Sequence, residues 1–459
     1  MHGYRSIRQD GLYRPWLALA AALSLAAAGC AGAASPSITA AAPSAAPPAS
    51  SAPAASAAAS TGASPAPAAS AEASAAAPTG TPVVMAELFP MTGKISFVGD
   101  ALVHGAKVGM YEVNQAGGIL GSPLTSELQD DAGDTVDAVP AWHALALQNP
   151  AFMLGPTVFT AGAVIKLFDP SKLVDFLVAG ATTYDTMNYQ YVYRVTVSDA
   201  TMAKGMAAYA IAKGYKHAAL IFDSGANSQT IAAPLIAAYT AHGGTVVANQ
   251  SIAPDQSSYR TEIQQVFANH PDAIFWQSDA QTAGTLFHDM EQLGDLNVPI
   301  IGTDNGASDT IAKGMGMSYA TKWLTGMAGT PPTGEAWTHY VADYKAVYNT
   351  DQPLDLANNM YDAIIVASLA MTDANSTDPS VWVNKITDVS NPPGTQCFTY
   401  ASCLALLKAG QKINYDGAGG PLDFNQYHNV FSGWDVVQFD ASGKLNSLYT
   451  VSPDVLAGY

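Results

Sequence analysis

Apolar positions recur along most of the chain in two alternating rhythms. "VVMAEL" (Val83 to Leu88) is a short β-prone run. After a loop, Leu102, Ala106, Gly109 and Val113 repeat at offsets of three and four. Such offsets line one face of a helix, so the pattern predicts strand, then helix. Gly117–Gly118 should end that helix, because glycine takes the left-handed cap conformation at no steric cost. "LTSELQD" predicts a strand, "TVDAVPAWHALAL" a helix, "AFMLG" a strand, "TAGAVIKLFD" a helix and "LVDFLVAG" a strand. The alternation resumes in "HAALIFD", "QTIAAPLIAAYTAHGG", "TVVANQ", "YRTEIQQVFANH", "DAIFWQ", "QTAGTLFHDMEQLG" and "VPIIGTD". Strands alternating with amphipathic helices predict parallel sheets in an α/β fold. "YVYRVTVSD" (Tyr191 to Asp199) separates two such runs, which predicts two doubly wound, Rossmann-like lobes. In open parallel sheets ligands sit beyond the carboxyl ends of the strands, so residues just after each strand carry the interest.

Before Val83 the pattern is different. Arg5, Arg8 and Arg14 precede the apolar run "WLALAAALSLAAA", which is too short for a comfortable membrane span and reads as an export signal. It ends in "AAGC", placing small residues before Cys30, as in bacterial lipoprotein signals whose cysteine is acylated. Ala27 stands where such signals usually carry Leu, so cleavage at an Ala-x-Ala site that frees a soluble product is the other reading. Residues 1–30 are thus signal and lipobox. Residues 31–82 are almost wholly Ala, Ser, Pro, Gly and Thr, with Glu72 the only charge. Such a segment has nothing large to bury and is expected to be a disordered tether.

Composition narrows the function. The 459 residues allow two domains, 49% are apolar and only 12% charged, and the net charge is −18. That balance argues against nucleic acid, which needs clustered Lys and Arg. The nine histidines show no HxH or HExxH, and no metal set or cofactor is read. Asp223–Ser224–Gly225 follows an expected parallel strand and has no His at motif spacing, so no enzyme is read. With Cys30 assigned to the signal, Cys397 and Cys403 remain as a pair; export favours a disulfide between them. The acids Asp130, Asp131 and Asp134 are oxygen donors that could hold Ca²⁺, but they lack the ligand spacing of an EF-hand loop. A scaffold role is the preferred reading: they sit at a strand end and cap the next helix.

The run "LFPMTGKISFVGDALVHGAKVGMYEVNQAGGILGSPLTSELQDDAGD" resembles the first βαβ unit of the leucine/isoleucine/valine-binding protein family. Asn114, Gly117, Gly118, Ile119 and Gly121 follow its order, as do Asp130, Asp131 and Asp134. The likeness continues through "YRVTVSDATMAKGMAAYA", "GGTVV", "YRTEIQQVFANHPDAIF", "YDAIIVASLA" and "YDGAGGPLDF". These relatives are type I periplasmic solute-binding proteins of ABC transporters. The resemblance implies two lobes joined by a three-strand hinge: residues 83–197 with 331–424, and 198–330 with 425–459. It implies crossings near Thr196–Asp199, Gly326–Pro332 and Asp423–Gly433. It also implies a monomer, held at the extracytoplasmic side of a membrane by its lipid anchor only, that gives a small solute to a permease and ATPase. Closure that signals to a partner, as in sensors of the same shape, is the alternative.

The resemblance further assigns the ligand contacts. Backbone amides and a hydroxyl near Gly180, Ala181 and Thr182 would take a carboxylate. Phe159, followed by Thr160, stands where the family has a serine; Phe159 is either core packing or a pocket wall. Asp304 would hold an ammonium, or instead cap the helix that starts near Ser308. Asn227 stands where relatives often have a covering aromatic, and Ser278 and Gln281 are further candidates.

One consequence concerns Cys30. Intact-mass and peptide mass spectrometry of the mature protein should find Cys30 as an acylated first residue. An unmodified N-terminus at any other residue would refute the anchor.

Overall fold

The computed structural model describes residues 77–459, apart from Lys94 and residues 331–332, and without the side chains of Ala226 and Asn227. Cys30, the export signal and the tether up to residue 76 lie outside the described residues, as do the prolines of one expected crossing.

Five strands form the first sheet: β1 (Val83–Phe89), β2 (Leu124–Asp130), β3 (Phe152–Thr157), β4 (Val174–Val178) and β5 (Val192–Arg194). Their order is β2-β1-β3-β4-β5, and every pair is parallel. β1 shows why. Val83, Met85 and Phe89 enter one apolar cluster while Ala86 and Leu88 enter another, so both faces are buried. A strand covered on both sides is the mark of a parallel sheet between helical layers. β2, at the edge, exposes most of its residues.

The second sheet holds β6 (His217–Asp223), β7 (Thr245–Ile252), β8 (Ala273–Gln277), β9 (Ile300–Gly302), β10 (Leu324–Gly329), β14 (Trp434–Phe439) and β15 (Leu445–Val451). Its order is β15-β14-β10-β9-β8-β6-β7. β6 to β10 are parallel, but β14 and β15 are antiparallel additions that the apolar rhythm before Asp304 did not reveal. Ala218, Leu220 and Phe222 face one cluster, Ala219 and Ile221 the opposite one. A small third sheet joins β11 (Thr395–Cys397), β12 (Ile413–Gly417) and β13 (Gly420–Pro421). Cys397 and Cys403 are disulfide-bonded there, with Cα atoms 5.3 Å apart. This ties β11 to the helix Tyr400–Lys408.

The chain passes between the two large sheets three times. It does so from β5 to the helix Asp199–Ala212, from β10 to the helix Glu335–Tyr348, and from β13 to β14. The helices Glu335–Tyr348 and Ala357–Ala374 pack in the cluster of the first sheet.

Helix α1 (Ser96–Gln115) carries the expected apolar face and ends before Gly117 and Gly118, both at positive φ. The Gly118 amide donates to Val113, closing the turn. Gly105 has a different reason. A Cβ there would fall 1.8 Å from the Ala357 carbonyl, so α1 meets the helix Ala357–Ala374 backbone to backbone. The segment expected as one helix at 160–169 is instead broken, with α-turns at Ala161–Val164 and Phe168–Ser171 around a 3₁₀ turn at Ile165–Leu167. Pro170 follows Asp169 in the last of these turns, and a proline inside a helix removes a backbone donor.

The acids of "DDAGD" hold this scaffold together. Asp130 accepts from the amides of Met91, Thr92 and Ala132 and from the Thr92 hydroxyl, tying the loop after β1 to the end of β2. Burial alone would raise its carboxyl; the Thr92 hydroxyl and the three amides outweigh that and hold it below the usual range. Asp131 accepts from the Gly133 amide and the Thr160 hydroxyl. Asp134 caps helix α2 (Thr135–Ala146) by accepting from the Val136 amide.

Glu87, on central strand β1, is 3% exposed, and burial raises its carboxyl to about 7 against the opposing pull of Ser126 and Lys107. Its unfolded pKa is near 4.5. Between those values the unfolded chain releases a proton that the folded chain keeps. Stability from this group is therefore complete below about pH 4.5 and lost as pH rises to about 7, by up to ~1.4 kcal/mol per pH unit. Glu87→Gln should flatten this loss and raise the melting temperature at pH 8. An unchanged pH profile in the variant would show that Glu87 does not titrate this way.

Candidate functional site

The loops after β3, β4 and β9 and the start of the helix Asp199–Ala212 converge at the carboxyl ends of the strands. The loop after β4 is the best organised. Arg194, the last residue of β5 and only 1% exposed, reaches back beneath it. Its guanidinium donates to the carbonyls of Ala179 and Ala181, at 3.4 and 3.2 Å, and pairs with Asp185 at 2.6 Å. A buried cation is costly unless its donors are matched; here the two terminal nitrogens are, which fixes the loop's shape, while Nε finds no partner among the described residues. From the other side, Asn429 donates to the carbonyls of Tyr184 and Asp185. The result is a loop with both flanks clamped and Gly180, Ala181 and Thr182 between them.

Gly180 sits against the next element. Its carbonyl accepts from the Asp199 amide at 2.8 Å, and a Cβ at 180 would lie 2.2 Å from the Asp199 carboxylate. No side chain fits there. Ala181 is buried, and Thr182 is half-buried at the start of a 3₁₀ turn (Thr182–Tyr184). Among the described residues no hydrogen bond from the Thr182 hydroxyl is found.

Phe159 and Thr160 separate in role. Phe159 is 49% exposed, so its ring is not core packing. Thr160 is fully buried, and its hydroxyl donates to Asp131 at 2.6 Å. Its polar atom is engaged inside the scaffold and faces no opening. Ser278 is likewise fully buried: its hydroxyl donates to the Asp279 carbonyl and its own carbonyl accepts from Asn305. Gln281 is exposed in the first turn of the helix Ala280–Leu293, next to Asp279, which caps that helix. Asn227 lies in the first turn of the helix Ala226–Ala241, and its side chain is outside the described residues.

Asp304 follows β9 in a 3₁₀ turn (Asp304–Ala307). Ser308 stands before the next helix, Asp309–Met315, so Asp304 is not that helix's cap. Its carboxylate is open to solvent, yet protein surrounds it on most sides, as at the floor of a cleft. That surrounding mass raises its carboxyl; Thr303 and the Asn305 amide pull it down, and Asp355 adds to the rise. Asp355 lies just before the helix Ala357–Ala374, so the two carboxylates belong to opposite halves of the molecule.

Sequence reasoning missed Asp199, Asp355 and Arg194. Burial raises the Asp199 carboxyl to about 7; Asp304 and Asp185 add to the rise and Arg194 opposes it. Three acids from separate segments therefore sense one another around the clamped loop. Arg194 lies inside "YRVTVSD", and a lone arginine in a β-rich run was the available signal. For Asp199 and Asp355 no local signal exists, since their proximity is tertiary.

A model of the family described as periplasmic binding protein matches residues 82–444. Among curated proteins, the Leu/Ile/Val-binding protein BraC3 of Rhizobium johnstonii is 28% identical over 234 residues, covering 50% of this chain and 62% of that protein. The match thus spans less than two thirds of that relative's length. The chemotactic signal transduction system substrate-binding protein BasB of Halobacterium salinarum is 23% identical over 394 residues, 79% of this chain and 88% of that protein. Among solved structures, the leucine-binding protein LivK from Thermotoga maritima superposes with a TM-score of 0.67 at 19% identity. That superposition covers 81% of this chain and 99% of that one.

Arg194 supplies a direct test of the loop's support. Arg194→Met keeps the bulk but leaves Asp185 and two carbonyls without their donor. It should lower unfolding free energy in urea by about 3 kcal/mol, as for breaking a buried ion pair. A loss under about 1 kcal/mol, the worth of one ordinary hydrogen bond, would show that the clamp is dispensable.

Proposed function

The chain belongs to the periplasmic binding protein family, and on that premise we propose that it captures a small α-amino acid, or a close amide or carboxylate analogue, for an ABC importer. The observation that carries this is the pairing of two unlike surfaces. One is the clamped loop Gly180–Thr182, whose half-buried Thr182 hydroxyl would donate to an anion beside the Asp199 carboxylate that packs against Gly180. The other is the Asp304 carboxylate, which suits an ammonium. A solute bearing both charges on adjacent atoms would bridge them, and the Phe159 ring offers an apolar wall for its side chain.

In this reading the two large sheets are the cores of two lobes, 83–197 with 331–424 and 198–330 with 425–459. The three passages of chain between them form a hinge. Solute contacts to both lobes would favour a closed state over an open one. The protein would be exported, anchored by acylated Cys30, monomeric, and served by a permease and an ATPase. No helix among the described residues is long and apolar enough to cross a membrane, so attachment would rest on the anchor. The likeness to BasB, named for chemotactic signalling, supports a second reading in which closure informs a partner and delivers no cargo. Permease and ATPase genes beside this one would favour transport.

Calorimetry with amino acids, amides and small carboxylates tests the proposal. Asp304→Ala should weaken the best ligand by about 2–5 kcal/mol, the range for removing one partner of a desolvated charge pair. Thr182→Ala should cost less, about 1–2 kcal/mol, because the amides remain. Protonation sets the sign of the pH dependence. With Asp199 raised to about 7 and Asp304 also raised, a cationic group must displace protons, so affinity should rise from pH 5.5 toward pH 8. A best ligand that lacks positive charge and binds Asp304→Ala equally well would refute the amino-acid reading and leave solute capture standing.

A further inference from the structure

Glu112, His339 and Asp343 form a compact group away from the loops just described. Glu112 lies near the C-terminal end of α1, more than four turns from the end that adjoins β1. His339 and Asp343 are one turn apart on the helix Glu335–Tyr348 and face it together. His339 Nε2 stands 3.3 Å from Glu112 Oε1 and 3.4 Å from Asp343 Oδ2. The three potential donor atoms lie within 4.8 Å of one another. Glu112 is buried, while His339 and Asp343 are partly exposed as residues, with His339 Nε2 itself turned away from solvent.

From this geometry we propose a divalent transition-metal site, of the zinc type, formed by Glu112, His339 and Asp343. The distances are the argument. Charge-assisted N–H···O⁻ bonds are about 2.7–2.9 Å long, and both separations here exceed that. Two atoms each ~2.1 Å from a tetrahedral ion stand ~3.4 Å apart, the spacing found from His339 to each carboxylate, while the third pair lies within 4.8 Å. One nitrogen and two carboxylate oxygens leave a fourth position for water. Hard ions such as Ca²⁺ or Mg²⁺ want six or more oxygens and fit this donor set poorly. With an ion bound, the ligating imidazole would be neutral and the two carboxylates would balance the ion's charge.

Support around the first ligand is already in place. Glu112 Oε1 accepts from the Tyr400 amide at 2.6 Å, and Oε2 accepts from the Tyr361 hydroxyl. Such outer contacts orient a ligating carboxylate and are a regular companion of metal sites. Through them a bound ion would join four helices: α1, Glu335–Tyr348, Ala357–Ala374 and Tyr400–Lys408. All four pack in the cluster of the first sheet, so the ion would stiffen that half without touching the solute.

The test uses the full chain, stripped with a chelator and titrated with Zn²⁺ by calorimetry. One equivalent should bind and raise the melting temperature. His339→Gln and Asp343→Asn should each abolish that equivalent, and Tyr361→Phe should weaken it ~10–100-fold, as outer-shell losses do. Co²⁺ in place of Zn²⁺ should give the intense visible absorption of a four-coordinate ion, and His339→Gln should remove it. Circular dichroism and solute binding confirm that the variants fold. Zn²⁺ uptake by folded His339→Gln equal to wild type, or no stoichiometric uptake by wild type, would overturn the site and leave an imidazolium between two carboxylates.

Discussion

The buried guanidinium of Arg194 is the contact on which the site's geometry depends. At the end of β5 it lies beneath the loop after β4, and it can stay charged there only because two carbonyls and Asp185 receive its hydrogens. Its backbone is engaged as well. The Arg194 amide donates to the His428 carbonyl, and its own carbonyl accepts from Val430. One residue therefore links a strand end, the clamped loop and the chain passing from β13 to β14. Desolvating a guanidinium is costly, so this arrangement makes a good case for specificity: few loop shapes place two carbonyls and a carboxylate around its terminal nitrogens at once.

Acids dominate what surrounds that clamp. In a chain of net charge −18, Asp185, Asp199, Asp304 and Asp355 gather where the two halves meet, with Arg194 the buried cation beside them. Burial raises the carboxyls of Asp199 and Asp304 first, and neighbouring acids add to it: Asp304 and Asp185 for Asp199, Asp355 for Asp304. On the proposed function, that excess of negative charge would suit a solute with a cationic end.

Much of the fold could be read from the chain. Strands β1 to β4 and β6 to β9 could be read, the inner ones as apolar runs because strands buried on both faces carry few polar residues, whereas β5 lay in the stretch read only as a separator. β14 and β15 could not, since an antiparallel edge such as β15 exposes polar residues along most of its length. The site was legible in part. Gly180 and Asp304 follow their strands directly, so strand ends located them. Thr160 and Ser278 have the right chemistry at strand ends too, yet their hydroxyls turn inward, toward Asp131 and the Asp279 carbonyl. That choice depends on side-chain rotation and partner position, which no pattern of residue types encodes. His339 and Asp343 form a one-turn pair on a helix face, but the carboxylate they meet comes from α1, far away in sequence.

The backbone contact at Gly105 has an outcome beyond packing. It fixes Ala357 to α1, so the short segment bearing Asp355 is part of the first half's rigid frame, while Asp304 is part of the second sheet. Any movement that narrows the gap between those frames brings two negative charges together. On the proposed closing motion, a cationic solute held between the frames would offset that repulsion, and the empty protein would meet it unopposed.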